Sequence, residues 1–185
     1  MSSVWVSVPL ATRERIKRSM THPDLKPDCV RCAALCCVAL HFDRSDSFGF
    51  DKLAGEPCRN LMPGGHCRIY ERRLSEGFRG CVGYDCLGAG QHVTQLLFGG
   101  RTWQKEPELL APMMQAFATA RALREHLVLV RQALRHRLPP SLAGRGEDLA
   151  DALEVAVDGN APAGRLLSDV AAFLCELRPV IREAT

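Results

Sequence analysis

The clearest pattern of apolar and polar positions lies in the second half of the chain, where it predicts one long amphipathic helix. Apolar residues recur at steps of three and four, at Leu109, Met113, Ala116, Ala120, Leu123, Leu127, Val130, Leu134 and Leu138. Arg121, Arg124, Glu125, Arg131 and Arg135 lie off this stripe. Pro107 and Pro112 suit the first turn of a helix and Pro139-Pro140 its end, which gives about 26 residues. The stripe is expected to pack on neighbouring helices or, alternatively, to form a homodimer seam.

Shorter helices are predicted on either side. One spans Glu147 to Val157, and another runs from about Gly164 to about Arg178, where Pro179 bends or ends it. The inward face of this last helix comprises Leu166, Val170, Phe173, Leu174 and Leu177. Thr12 could cap a further short helix that reaches Met20.

The first half of the chain is rich in cysteine and glycine instead. Eight of the nine cysteines lie between Cys29 and Cys86, and eleven of the fifteen glycines lie between Gly49 and Gly100. We therefore predict a mainly α protein with two parts. Residues 1–102 form a small, irregular, metal-organised cysteine-rich module, and residues 103–185 form an α-helical extension, a bundle of about three helices.

The strongest local signal is a C-x2-C-x3-C-C run at Cys29, Cys32, Cys36 and Cys37. If the run is helical, the first three thiols fall within an arc of about 60° and converge on one point. Cys37 falls about 80° to the other side, so it completes a different site or the segment departs from a regular helix. Pro27 and Asp28 favour a helix start here, with Asp28 as the N-cap.

Two further pairs of cysteines follow. Cys58 and Cys67 bracket a Pro-Gly-Gly turn that would bring their ends together. Cys81 and Cys86 are about 140° apart on a helix, which is too open for one face, so their segment is expected to form a loop around a ligand.

Composition and charge indicate the cellular compartment and the classes of function that fit the chain. The N-terminal segment lacks the pattern of a signal peptide, and no apolar run is long enough to span a bilayer, so a soluble protein of the reducing cytosol is expected. In that compartment clustered thiols favour metal binding over disulfides or thiol redox chemistry. The net charge of +3, without basic runs that contain aromatic residues, argues against nucleic-acid binding.

The metal itself stays open between zinc and iron. Two four-thiolate zinc sites would use all eight cysteines. An iron–sulfur cluster would use four, most naturally the convergent trio and one distant cysteine.

Other residues are weaker candidates. His66, beside Cys67, could replace a thiolate, although an exposed loop histidine is the simpler interpretation. His41 and His92 could lie in the outer sphere or face a substrate, and Asp85 could act as an acceptor or base or make local turn hydrogen bonds. Cys175 is interpreted as a small buried side chain. Arg72-Arg73 is interpreted as a solvated charge pair, with anion binding as the less favoured alternative.

The cysteine run, Cys58, the segment Cys67-Arg68-Ile69-Tyr70-Glu71-Arg72 and the closing Cys81 and Cys86 resemble the YkgJ-type zinc- or iron-chelating domain family over residues 28–90. The resemblance implies that Cys29, Cys32, Cys36, Cys37, Cys58, Cys67, Cys81 and Cys86 are the metal ligands. It also keeps an enzyme role open, because a flagellin lysine methylase of the wider group holds an iron–sulfur centre. The chain departs from the family pattern after Tyr70, where Leu74 follows Arg73 and the next cysteine is Cys81. The glycine-rich stretch up to Gly100 is also similar to a module that precedes pentapeptide repeats in bacterial proteins, although no such repeats follow.

The function expected from these features is that of a bacterial cytosolic protein that chelates zinc or iron, the latter as an ion or an iron–sulfur cluster. The alternative is an iron–sulfur or thiol-redox enzyme that modifies a peptide or protein, with the helical half as the docking surface. The chain offers no set of nucleophile, base and orienting residue and no phosphate-binding loop, so no catalytic residue is assigned.

Overall fold

The computed structural model describes residues 25–159 and 163–183 and confirms a mainly α-helical protein. Its helices are α1 (Leu35–Ala39), α2 (Arg79–Gly83), α3 (Ala89–His92), α4 (Leu110–Ala133), α5 (Pro140–Gly159) and α6 (Gly164–Glu183). Short 3-10 turns cover Cys29–Arg31, Tyr70–Arg72 and Pro107–Leu109, and α3 continues into a π-helical turn, Val93–Leu97. Within the described residues, β-structure is limited to three isolated antiparallel bridges. The helix predicted from Thr12 to Met20 lies outside these residues.

The three long helices pack against one another around an aliphatic core. The second half of α4 supplies Leu123, Leu127 and Val130, which are at most 1% exposed. They meet Leu153 of α5 and the buried face of α6, formed by Val170, Phe173 and Leu177. The stripes predicted for α4 and α6 are confirmed, because positions at steps of three and four share one side of a helix. This face excludes water from the centre of the bundle.

The helix ends differ from the prediction at the prolines. The long helix stops at Ala133, well before Pro139, and Pro140 begins α5 instead of following α4. The Pro139 carbonyl accepts from the backbone N–H groups of Leu142 and Ala143, as at the start of a helix, where a missing proline N–H costs nothing. Pro179 does not end α6, which continues to Glu183. A proline inside a helix removes one backbone hydrogen bond and crowds the carbonyl four residues earlier, and α6 continues despite this cost.

The first half of α4 packs against the cysteine-rich part of the chain. Here α4 contributes Met113, Ala116, Phe117 and Ala120, which form a second core with Ala33, Leu35, Ala89 and Val93. One helix thus supplies side chains to both cores. The boundary proposed at residue 102 stays a prediction.

Arg124 lies off the apolar stripe of α4, yet its side chain is only 2% exposed. It donates from Nη1 to the carbonyl oxygen of Leu87 at 2.7 Å. Leu87 has a positive φ of 51° and directly follows Cys86. The helical half therefore holds the backbone next to a cysteine.

No helix in the described ranges is both long and apolar enough to cross a membrane.

Candidate functional site

The run from Cys29 to Cys37 departs from a regular helix, one of the two alternatives that the position of Cys37 left open. Asp28 caps a 3-10 turn as expected, with Oδ1 accepting from the N–H groups of Val30 at 3.1 Å and Arg31 at 3.3 Å. Cys32 is then extended and Ala34 is left-handed at φ 55°, after which α1 begins. The helical conformation is therefore interrupted between the second and third cysteines, and Cys36 and Cys37 lie on a separate helix.

Side chains from later in the sequence hold this break in place. The Ala33 N–H donates to Oγ1 of Thr94 at 2.9 Å. The Ala33 carbonyl accepts from Nε1 of Trp103 at 2.7 Å and from Nε2 of Gln104 at 3.0 Å. These bonds fix the residue before Ala34 and so stabilise the left-handed conformation of Ala34, which is otherwise unfavourable for a residue with a Cβ. Local periodicity could not reveal this geometry because the partners are about 60 to 70 residues away.

Four thiols, which we call the first thiol group, lie close enough to act on one another electrostatically: Cys29, Cys32, Cys36 and Cys86. Burial raises the pKa of Cys32 to about 11, and the neighbouring thiols of Cys86 and Cys29 act in the same direction. A Cβ on Gly90 would lie 2.5 Å from Sγ of Cys32 and 4.0 Å from Sγ of Cys86, so both sulfurs rest on α3 at this glycine. The convergence predicted for the first three cysteines thus includes Cys86, although one helix does not produce it.

The other four cysteines form the second thiol group: Cys37, Cys58, Cys67 and Cys81. Burial, and after it the neighbouring thiols of Cys37, Cys58 and Cys67, raise the pKa of Cys81 to about 11. The backbone N–H of Cys58 donates to the Cys37 carbonyl at 3.0 Å, which ties the two segments together. Cys37 therefore belongs to a different group from Cys36, one of the two outcomes that its helical angle allowed.

The turn between Cys58 and Cys67 forms as predicted. Leu61 and Cys67 make an antiparallel bridge, and the Gly65 N–H donates to the Met62 carbonyl at 2.8 Å. The Asn60 N–H points at Sγ of Cys58, at 3.4 Å, a contact that favours a thiolate. This loop brings two donors to one side of the second group.

The segment from Cys81 to Cys86 differs from the loop that was expected. Cys81 lies in α2, whereas Cys86 follows that helix, and the Cys86 carbonyl accepts from the Ala89 N–H as α3 begins. The x4 spacing therefore divides the two cysteines between the two thiol groups.

The two groups touch at the neighbouring residues Cys36 and Cys37, whose sulfurs are 4.0 Å apart. The hydrogen bond between them raises the pKa of Cys36 and lowers that of Cys37. The positive charges of Lys52 and Arg73 also lower the pKa of Cys37, although burial opposes them. Of these two sulfurs, that of Cys37 is therefore the more favourable place for negative charge.

Arg73 is a cation whose charge reaches thiols of both groups. Its guanidinium stacks on the Tyr70 ring at 3.8 Å, and it donates from Nη1 to the Cys81 carbonyl at 3.4 Å. Its charge favours the thiolate forms of Cys29, Cys37 and Cys81. The interpretation of Arg72-Arg73 as a solvated pair thus holds for Arg72, which forms an exposed ion pair with Glu76, and is wrong for Arg73.

The weaker candidates lie mostly outside the two groups. His66 and His41 are exposed, and Oδ1 of Asp85 accepts from the Leu87 N–H at 2.6 Å in a local turn. His92 is buried, with Nε2 3.0 Å from the Val157 carbonyl oxygen, so it joins α3 to the bundle. Cys175 is exposed on α6, and the prediction that it is buried is wrong because its helix turns another face to the core.

Sequence reasoning missed Lys52 at the site, and it named Arg73 and Tyr70 without a role beside the thiols. Lys52 is 5% exposed although lysine is normally a surface residue, and no periodic pattern around it marks it as buried. The resemblance included Tyr70 as part of a motif, yet its contact with Arg73 depends on the 3-10 turn between them.

The donors suit a thiolate-binding metal in kind and number, since each group offers four thiols. In the described residues no three Cys, His, Asp or Glu side chains are arranged so that they could hold a metal ion as they stand. Binding would therefore require the thiols to lose protons and draw together, as in sites whose formation is coupled to folding.

Comparison with known proteins identifies one curated relative. The chain is 43% identical over 113 residues to the uncharacterized protein YybG of Bacillus subtilis (strain 168). The aligned part covers 61% of this chain and 40% of the relative, so the chain spans less than half the length of that protein. No family model and no solved structure matches the chain.

Proposed function

We propose that this chain is a cytosolic metal-binding protein whose eight clustered thiols hold zinc or iron. The observation that carries the proposal is the proximity of the eight cysteines, which form two adjoining groups of four drawn from five separate segments. Four thiolates are a common complete ligand set for structural zinc and for iron–sulfur clusters.

Metal binding would also account for the composition of the first half. Residues 40–88 contain all three isolated β-bridges of the described residues and otherwise only short helices, so little regular structure supports them. Binding of a structural metal can contribute about 10–16 kcal/mol to folding, which is as large as the whole stability of a typical domain. Two centres would hold together a segment that hydrophobic burial alone would stabilise poorly.

The test is the metal content of protein purified without oxygen, compared between single-cysteine variants. The unmodified chain should carry about two zinc ions per chain, or iron with acid-labile sulfide and a visible charge-transfer band. Cys67→Ser should lose about half of the metal, because it removes one ligand of the second thiol group. Cys175→Ser is the matched control, since this cysteine is exposed on α6 and belongs to neither group.

Metal-free protein as isolated, with no uptake of zinc or iron under reducing conditions, would refute the proposal. Equal metal content in all variants would refute the assignment of these ligands.

The alternative, an iron–sulfur enzyme that modifies a peptide or protein, is favoured by one feature of the first thiol group. Three of its thiols come from one short run and the fourth from Cys86, a distribution found in cluster proteins. This alternative requires iron and labile sulfide that disappear in Cys86→Ser, and two zinc ions in a colourless protein would exclude it.

A further inference from the structure

Lys52 is a lysine inside the protein, next to the helix that carries Cys36 and Cys37. Its side chain is 5% exposed. Nζ donates to the carbonyl oxygens of Val38, Leu40 and Leu53 at distances between 2.5 and 3.2 Å. The three donors of the ammonium group are thus all used, and two of the acceptors lie at the C-terminal end of α1.

These hydrogen bonds satisfy the donors of Lys52 but do not neutralise its charge. None of the ion pairs found among the described residues includes Lys52. The groups whose negative charge would act on it are the thiols of Cys58, Cys37 and Cys36 and the carboxylate of Glu56. Glu56 itself is exposed, so water screens its charge.

A buried cation without a close anion is costly, because the interior solvates charge poorly. While the neighbouring thiols are protonated, this cost is offset by carbonyl dipoles, by the Phe42 ring, whose centroid is 5.7 Å from Nζ, and by the exposed Glu56, none of which is a close anion. When four thiolates hold a divalent ion, the assembly has a net charge of about −2, and the ammonium group then faces the anion that it otherwise lacks.

We propose that Lys52 is the internal counter-ion of the second thiol group and selectively stabilises its metal-bound, thiolate form. This inference rests on the proposed function and adds to it a residue outside the ligand set. Lys52 does not bind the metal; it acts through the charge of Cys37 and Cys58. The hydrogen bonds to α1 alone would give it a second, purely structural role, and the experiment must separate the two.

The experiment compares neutral and charged replacements in the full chain. Lys52→Gln keeps an N–H donor and removes the charge, Lys52→Arg keeps the charge, and Lys105→Met is the control at an exposed lysine. Each protein is titrated with Co²⁺ and then Zn²⁺ under reducing conditions, with the thiolate-to-cobalt absorption as the readout and a competing chelator to set the affinity. The urea midpoint is measured for the metal-free and zinc-loaded forms.

We expect Lys52→Gln to bind one of two metal equivalents about tenfold more weakly or worse, while the other equivalent is unchanged. Lys52→Arg and Lys105→Met should bind both equivalents with nearly the affinity of the unmodified chain. The zinc-loaded midpoint should fall further than the metal-free midpoint in Lys52→Gln. If the metal-free variant is unfolded, the affinity difference between the Gln and Arg variants still reports the charge.

Equal losses of stability with and without zinc, or equal affinities in the Gln and Arg variants, would show that Lys52 only caps α1 and would overturn this inference. The proposed function would stand in that case. An unmodified chain that binds neither Co²⁺ nor Zn²⁺ would overturn both.

Discussion

Gly90 of α3 is the point at which a single methyl group should disturb the first thiol group. A Cβ at this position would lie 2.5 Å from Sγ and 3.5 Å from Cβ of Cys32, and 4.0 Å from Sγ of Cys86. Contacts below 3.0 Å are not tolerated between such atoms, so Gly90→Ala must displace the Cys32 side chain or move α3.

The expected change in the free energy of unfolding of Gly90→Ala follows from two opposing effects. Alanine is favoured over glycine in a helix by about 1 kcal/mol. Overpacking a closely packed site costs about 1–3 kcal/mol. Gly144 of α5 offers a matched control, because a Cβ there meets no atom within 4 Å and shows the helix preference alone. The free energies of unfolding of the two variants should therefore differ by about 1–3 kcal/mol, with Gly90→Ala the less stable.

Urea unfolding followed by circular dichroism would measure this difference, and elemental analysis would report the metal. If Cys32 rotates instead of straining the backbone, the stability loss is smaller but the protein should lose about half of its metal. A Gly90→Ala protein that is as stable as Gly144→Ala and retains its full metal content would refute the placement of Cys32 against α3.

Three other changes test the packing around the site and in the bundle. Gly80→Ala should destabilise the cysteine-rich half by about 1–3 kcal/mol in urea unfolding, because its Cβ would lie 2.2 to 2.7 Å from ring atoms of Phe48; unchanged stability would contradict this packing. Phe173→Ala, at a side chain with 0% exposure, should cost about 3–5 kcal/mol in the same assay, and a loss below about 1 kcal/mol would mean that it is not at the centre of the bundle. Burial, and then the charge of a nearby arginine, lower the pKa of His92 in the folded protein, so the unfolded chain binds a proton more readily and stability should fall as the pH drops below about 6.5. Urea midpoints at about pH 7.5 and about pH 5.5 should converge in His92→Gln but not in the exposed control His136→Asn, and equal pH dependence in both would contradict this role.

Hydrophobic periodicity alone determined the helical half of the protein. The stripe from Leu109 to Leu138 and the inward face of α6 were readable because each helix must bury one continuous side, and that requirement is local to the helix. The helix ends were harder to predict from the sequence, because Pro140 is equally compatible with the end of one helix and the start of the next.

The eight candidate cysteines were also identifiable from the sequence, but their grouping was not. Helical angles predicted that the thiols of Cys29, Cys32 and Cys36 would converge. In the structure these thiols come together through the left-handed turn at Ala34, which interrupts the helix. The turn at Ala34 depends on hydrogen bonds between Ala33 and the side chains of Thr94, Trp103 and Gln104. No local sequence pattern links these three residues to the cysteines.

The tertiary structure alone decided which thiols are neighbours and which cations stand beside them. Cys81 and Cys86 are five positions apart yet belong to different groups, because a helix ends between them. Lys52 became a candidate only when its burial and its lack of an ion pair in the described residues were known. The physical reason is the range of the interactions: amphipathic helices follow from neighbours three and four residues apart, whereas electrostatic partners come from any segment that the fold brings close.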